Sequence, residues 1–209
     1  MIRNIVFDLG NVLISFRPAE FLEKSNYPEE TRKTILSDIF GSREWLLLDD
    51  GKITTPEAIE AIAARSSLKR AEIERIFNDR TLIFHGLDLN AKILPELKER
   101  GFRLYYISNF PADIFDEVKS TYGFFTCFEG GIISAHVKCS KPDPLIFKFF
   151  LDKFALIPEE CFYIDDTEAN VISAISTGMK GFCTFGSKDI SDLLIKKLNL
   201  NPSAEADGN

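Results

Sequence analysis

The chain has 209 residues, 45% hydrophobic and 27% charged, with a net charge of −7 at pH 7 and a pI near 5.0. That length builds a full core with room for a small second domain, and the acidic balance argues against nucleic acid as a partner. No apolar run reaches the roughly 20 residues of a membrane span, and the first strand starts too early for a signal peptide to precede it. Cys127, Cys139, Cys161 and Cys183 show no CxxC spacing. The expectation is therefore a cytoplasmic protein with reduced thiols and no zinc site.

Ile5-Val6-Phe7 is a short β-branched and aromatic run without alternation, the pattern of a buried parallel strand, and it ends on Asp8. Open α/β sheets place ligands beyond such strand ends, although an Asp there also suits a turn. A second apolar run follows at Val12-Leu13-Ile14. From Arg17-Pro18-Ala19-Glu20, where Pro suits a first helical turn, the pattern is helical to about Asp79. Ile35, Leu36, Ile39 and Phe40 share one face, and Asp49-Asp50-Gly51-Lys52 reads as a turn. Thr54-Thr55-Pro56-Glu57 caps a helix, and Ser67–Phe77 forms another. A segment of about 60 residues (17–80) thus predicts a small helical bundle.

The pattern changes at Leu87. The spacing predicts a helix over Leu89–Arg100 closed by Gly101, then a strand over Arg103–Ile107 ending in Ser108-Asn109. A helix over Pro111–Tyr122 follows, with a short strand at Phe124–Phe128 and an irregular one at Gly130–Ser134. Lys141-Pro142-Asp143-Pro144 opens a helix running to about Phe154. A strand over Cys161–Ile164 ends in Asp165-Asp166, and Thr167-Glu168 opens a helix to Thr177. The last strand is expected at Gly181–Phe185, the last helix at Ile190–Leu198, and a disordered tail over 201–209.

This alternation predicts an α/β fold: a Rossmann-like parallel sheet with helices on both faces. Residues 1–16 and 81–200 form the core domain, and the helical insert 17–80 leaves at the carboxyl end of the first strand, where it caps the site. A parallel sheet brings its strand ends to one edge, so Asp8, Ser108-Asn109 and Asp165-Asp166 can converge with Lys141. Each piece has a plain alternative, as a helix cap, a helix start or a pair of helix-dipole carboxylates. Together they suggest chemistry. Clustered carboxylates repel unless a cation lies between them, and oxygen donors without His or Cys favour a hard ion such as Mg²⁺. Lys suits a phosphoryl oxygen, and a carboxylate can be a phosphoryl acceptor.

Val6-Phe7-Asp8-Leu9-Gly10-Asn11-Val12-Leu13, Ile107-Ser108-Asn109, Ser140-Lys141-Pro142-Asp143-Pro144 with Ile146-Phe147, and Tyr163-Ile164-Asp165-Asp166 with Asn170 stand in the order of four known motifs. The set resembles the haloacid dehalogenase-like (HAD) hydrolase superfamily, in its subclass with an α-helical cap after the first strand. The DLGNV form is similar to a sub-branch that includes sugar-phosphate phosphatases. The resemblance runs from Ile2 to about Leu198. It implies Asp8 as a nucleophile that forms an aspartyl-phosphate, with Ser108, Asn109 and Lys141 at the phosphate. It also implies Mg²⁺ held by Asp8, the Gly10 carbonyl, Asp165 and Asp166, with Asp166 the direct ligand and Asp165 direct or one step removed.

One position departs from the pattern. Most phosphatases of the family carry a second Asp two residues after the nucleophile, and here that position is Gly10. The backbone carbonyl for the metal is kept. The acid that protonates the leaving group, a service worth about 10²–10⁴-fold, is lost. Sugar anomeric and aryl phosphates, whose leaving groups are less basic, suffer less.

The reading is a Mg²⁺-dependent phosphatase of small phosphorylated metabolites, a sugar phosphate among them, acting as a monomer or homodimer. A 2-haloacid dehalogenase is the alternative, which leaves Asp165-Asp166 unexplained, and a non-catalytic binding protein is the third. The cap is expected to choose the substrate, with Phe16, Arg17, Arg43, Glu44 and Trp45 as candidates. Glu44 is a candidate for the missing acid, whereas Trp45 as cap core and Arg43 as a surface charge are the plainer readings.

Overall fold

The computed structural model describes residues 1–185 and 189–198. The expected disordered tail, 201–209, lies outside them. β1 (Asn4–Phe7) leads to a short β2 (Ile14–Phe16). Five helices follow: α1 (Pro18–Glu23), α2 (Glu29–Ile35), α3 (Arg43–Asp49), α4 (Thr55–Ala63) and α5 (Arg70–Asp79). A π-helical stretch, Leu36–Phe40, extends α2, and a 3₁₀ turn, Arg80–Ile83, leads into β3 (Phe84–Gly86). The chain continues through α6 (Asp88–Ala91), α7 (Ile93–Glu99), β4 (Arg103–Ser108), α8 (Ala112–Thr121), β5 (Gly130–Ile133) and α9 (Ser134–Val137). It then forms α10 (Pro144–Phe154), β6 (Cys161–Asp165), α11 (Glu168–Ser176), β7 (Lys180–Cys183) and α12 (Ser191–Lys197).

The main sheet has the order β5-β4-β1-β6-β7 and every adjacent pair is parallel. All four residues of β1 are buried, which is why Ile5-Val6-Phe7 reads as an apolar run with no alternation. Phe7 pairs with Tyr106 on one side and Ile164 on the other, so Asp8 leaves β1 at the level of Ile107 and Asp165. The strand order reverses about β1, the point where α/β sheets open a crevice. Ile5, Phe7, Leu104, Tyr106 and Ile164 pack one face against α7, α8 and α12. Val6, Tyr105, Ile107 and Tyr163 pack the other against α10 and α11.

A third apolar cluster lies within the insert, built from Leu22, Ile35, Ile39, Trp45, Ile62, Ile73 and Phe77. The insert leaves and returns through a feature the sequence does not announce. β2 and β3 pair antiparallel, with Ile14 opposite Gly86, Ser15 opposite His85 and Phe16 opposite Phe84. Strands of three residues are too short to show a period. At the return, the buried guanidinium of Arg80 donates to Thr55 Oγ1 at 2.9 Å and to Asp113 Oδ2 at 2.5 Å, joining α4 and α8.

Two local expectations are corrected. Phe124–Phe128 is not a strand: Gly123–Cys127 is a 3₁₀ helix. Its rings pack in a cluster, Phe124 stacked on Tyr122 and Phe125 edge-on to Tyr106 and Phe115, so aromatic packing rather than a ladder buries the run. The irregular segment after it is a regular strand, β5, that passes directly into α9. No helix among the described residues is long and apolar enough to cross a membrane.

Candidate active site

Asp8, Asp165 and Asp166 each place a carboxylate oxygen within 4.8 Å of the others at the carboxyl edge of the sheet. The Asp8 amide, donating to Ile164 O at 2.8 Å, continues the β1–β6 ladder and fixes the residue. Asp8 Oδ1 accepts from the Leu9 amide at 2.7 Å and stands 2.8 Å from Lys141 Nζ. Lys141, its side chain only 2% exposed, also donates to Asp165 Oδ2 at 2.7 Å.

Both oxygens of Asp165 are covered. Tyr163 Oη and Asn170 Nδ2 donate to Oδ2, and the Thr167 amide and Asn170 Nδ2 donate to Oδ1. Asp166 is partly exposed and, among the described residues, accepts a 3.3 Å bond from Thr167 Oγ1 and one from the Asn11 side chain. Asp165 thus acts as the buried anchor for Lys141, while Asp8 and Asp166 face the opening.

The charges do not balance within the protein. Three carboxylates against one ammonium leave two negative charges, the complement of one divalent cation. Burial pushes the Asp8 carboxyl above its ordinary range, Lys141 opposes this, and Asp165 adds to it. Burial and Asp165 raise Asp166 likewise. Burial also disfavours an ionised Asp165, but Lys141 and the hydroxyl and amide donors outweigh it and hold that carboxyl low. An all-oxygen, strongly anionic set with no His or Cys fits a hard ion, and Mg²⁺ above all.

The cluster opens into a cavity of about 240 Å³. Trp45, Phe16, Phe84 and Phe110 wall one side, their rings in successive contact at 5.7, 5.4 and 4.8 Å between centroids. Ser108, buried at the end of β4, lines the floor with Gly10 and Lys141.

Asn109 also lines the cavity, but its amide brackets the Lys141 backbone. Nδ2 donates to Lys141 O at 3.0 Å and Oδ1 accepts from Lys141 N at 2.9 Å. Its side chain therefore fixes the lysine loop.

Of the cap candidates, Phe16 and Trp45 reach the cavity, and Trp45 is at once cap core and cavity wall. Arg17 pairs with Glu20 at 2.7 Å and Arg43 is exposed, and neither lines the cavity. Glu44 pairs with Arg65 at 2.7 Å, a contact that lowers its carboxyl pKa and holds it ionised away from the cavity. It is not placed to protonate a leaving group.

The structure adds Asn11, Asp49 and Thr167 to the lining. Asn11 adopts a left-handed backbone, φ 52°, which Asn tolerates, and its Oδ1 accepts from Phe16 N at 3.2 Å. The residue type was a legible signal for that turn. Asp49 had none, because its sequence context reads only as a turn.

Residues 2–178 match the haloacid dehalogenase-like hydrolase family. The chain is 27% identical over 176 residues to the sesquiterpene phosphatase astK of Aspergillus oryzae, covering 84% of this chain and 86% of the relative. It is 30% identical over 198 residues to the drimenol cyclase drtB of Aspergillus calidoustus, covering 90% of this chain but 35% of that longer protein. A HAD family enzyme from Bacteroides thetaiotaomicron superposes with a TM-score of 0.72 at 25% identity, over 92% of this chain and 98% of that one. The same bacterial enzyme is also known in complex with magnesium and inorganic phosphate. With four motifs gathered at one sheet edge and the match spanning most of its length, the chain belongs to the haloacid dehalogenase-like hydrolases.

Proposed function

We propose that this protein is a Mg²⁺-dependent phosphatase of small phosphorylated metabolites in which Asp8 takes the phosphoryl group. The observation that carries the reading is the convergence of Asp8, Lys141 and Asp166 at the mouth of one cavity, with two uncompensated negative charges. Asp8 is held by the Leu9 amide on one oxygen, which leaves the other free to meet phosphorus. Lys141 and the Ser108 hydroxyl, which line the same cavity, would meet the phosphoryl oxygens. Asp8, Asp166 and the Gly10 carbonyl would hold Mg²⁺, and Asp165 keeps Lys141 oriented. The bound cation supplies charge neutralisation for the phosphoryl oxygens. A dehalogenase makes no use of the open Asp166.

The insert, residues 17–80, serves as a cap whose Phe16–Trp45 wall selects the body of the substrate. That wall suits a compact body with an apolar face. A sugar ring presents one through its C–H bonds and a short prenyl chain throughout, and the relative astK is named a sesquiterpene phosphatase.

Phosphate release from sugar, prenyl and aryl monoesters, with Mg²⁺ and after chelation, tests the reading. Asp8→Asn is expected to lower turnover by about 10⁴-fold or more. Wild-type activity in that variant, or release indifferent to chelation, overturns it.

A further inference from the structure

We propose that Asp49 donates the proton to the leaving group, the role left vacant at Gly10, an inference that rests on the phosphatase reading above. Among the described residues lining the cavity, the carboxylates and ammonium are Asp8, Asp49, Lys141 and Asp166. Three of these are committed to the phosphoryl group and the cation, and Asp49 remains. It comes from the cap, and it shares the cavity with the aromatic wall where the departing body lies.

Its placement is built. Trp45 and Asp49 stand four residues apart on α3, on one helix face, so the helix that offers the ring also offers the carboxylate. Ser42 caps the start of that helix, accepting from the Trp45 amide at 3.0 Å. Two serines of the core hold its end. Ser134 Oγ donates to the Asp49 carbonyl and accepts from the Phe110 amide at 3.0 Å, and Ser140 Oγ donates to Asp50 Oδ1. Ser140 directly precedes Lys141, so the acid and the phosphate lysine share one support.

The carboxylate itself carries no hydrogen bond or ion pair among the described residues. It also sits in the last turn of α3, where the helix dipole disfavours negative charge. Burial and neighbouring Asp50 raise its pKa to about 7, so the protonated form is populated at neutral pH.

The steps balance. An Asp8 oxygen bonds to phosphorus as the ester P–O bond breaks, and that bond's electron pair goes to the leaving oxygen, which takes the Asp49 proton and departs as an alcohol. Water then bonds to phosphorus, the bond from phosphorus to Asp8 breaks with its pair returning to the carboxylate, and a water proton passes to Asp49. Inorganic phosphate leaves and both residues are restored.

The test compares kcat/KM, which reports the steps up to alcohol departure, for p-nitrophenyl phosphate and glycerol 1-phosphate with Mg²⁺. Nitrophenolate leaves without a proton. Asp49→Asn is expected to lower kcat/KM for the alkyl ester by about 10²–10⁴-fold and for the aryl ester by less than about tenfold. Asp49→Ala should give the same split, and the retained aryl activity reports an intact fold. An equal loss on both esters, or no loss on either, overturns the role of Asp49. A wild-type protein that releases phosphate from neither ester overturns the phosphatase reading itself.

Discussion

Gly10 shows how little the backbone dictates at the most consequential position of the site. A Cβ added there would meet nothing nearer than Asp8 Oδ2 at 3.9 Å, and its φ lies outside the left-handed region. The local geometry leaves room for a Cβ, so the backbone does not demand glycine there. An Asp at this point would add a fourth carboxylate beside three that already exceed their positive partner. Placing the acid on the cap keeps it apart from that cluster. If the proton donor is what Asp49→Asn removes, adding Gly10→Asp to that variant should recover alkyl-ester kcat/KM by about tenfold or more, part of the 10²–10⁴-fold a general acid is worth. Steady-state kinetics on the double variant checks this. The residue types at Asp8, Lys141 and Asp166 were legible because each sits at a strand end or helix start. The contact of Asn109 with the Lys141 backbone was not legible, because its partner lies 32 positions away in the chain.

At the scale of elements, the decisive contact is α3 against α9. Gly51 closes α3 at φ +63°, and a Cβ there would fall 2.2 Å from the Ala135 carbonyl oxygen. Only glycine allows the cap turn to approach the core so closely. Gly51→Ala is expected to cost at least the roughly 1–2 kcal/mol of a left-handed alanine, with the backbone clash added. Urea unfolding measures the stability loss. The same shift should move Asp49 and depress alkyl-ester turnover more than aryl-ester turnover. The turn was legible from Asp49-Asp50-Gly51-Lys52, but not what it docks on. The β2–β3 pair was illegible for a related reason: three-residue strands gain their definition from each other and not from a local pattern.

For the whole molecule, two charge imbalances set the conditions of stability. The Asp49 carboxyl has an ordinary value of 3.8 and is raised to about 7 in the fold, by burial first and Asp50 second. Between those values the native state binds more protons than the unfolded chain. The stability this confers is full below the lower value and is lost as pH rises through the upper one. Asp49→Asn cannot ionise, so its Tm should exceed the wild-type Tm at pH 8 by several degrees, with no gain at pH 4; about 1 kcal/mol moves Tm by roughly 2–4 °C in a chain of this size. The second imbalance is at the metal cluster. Mg²⁺ at about 100 times its Kd should add about 2.7 kcal/mol, read as a rise in Tm. Asp166→Asn should remove most of that rise, whereas a Tm indifferent to Mg²⁺ in the wild type would count against the cation site.

The sequence by itself determined the parallel sheet, the inserted helices and the order of the residues at the sheet edge. Those features follow from short apolar runs, helical periods and caps, which are local. Tertiary structure alone decided which cap carboxylate reaches the cavity. Glu44 and Asp49 are five residues apart on one helix, a rotation of about 140° past a full turn at 3.6 residues per turn. One faces Arg65 and the other faces the cavity. The rotation of α3 about its axis is set by Ser134, Ser140 and the close approach at Gly51, contacts between segments that sit about 85 to 90 positions apart in the chain.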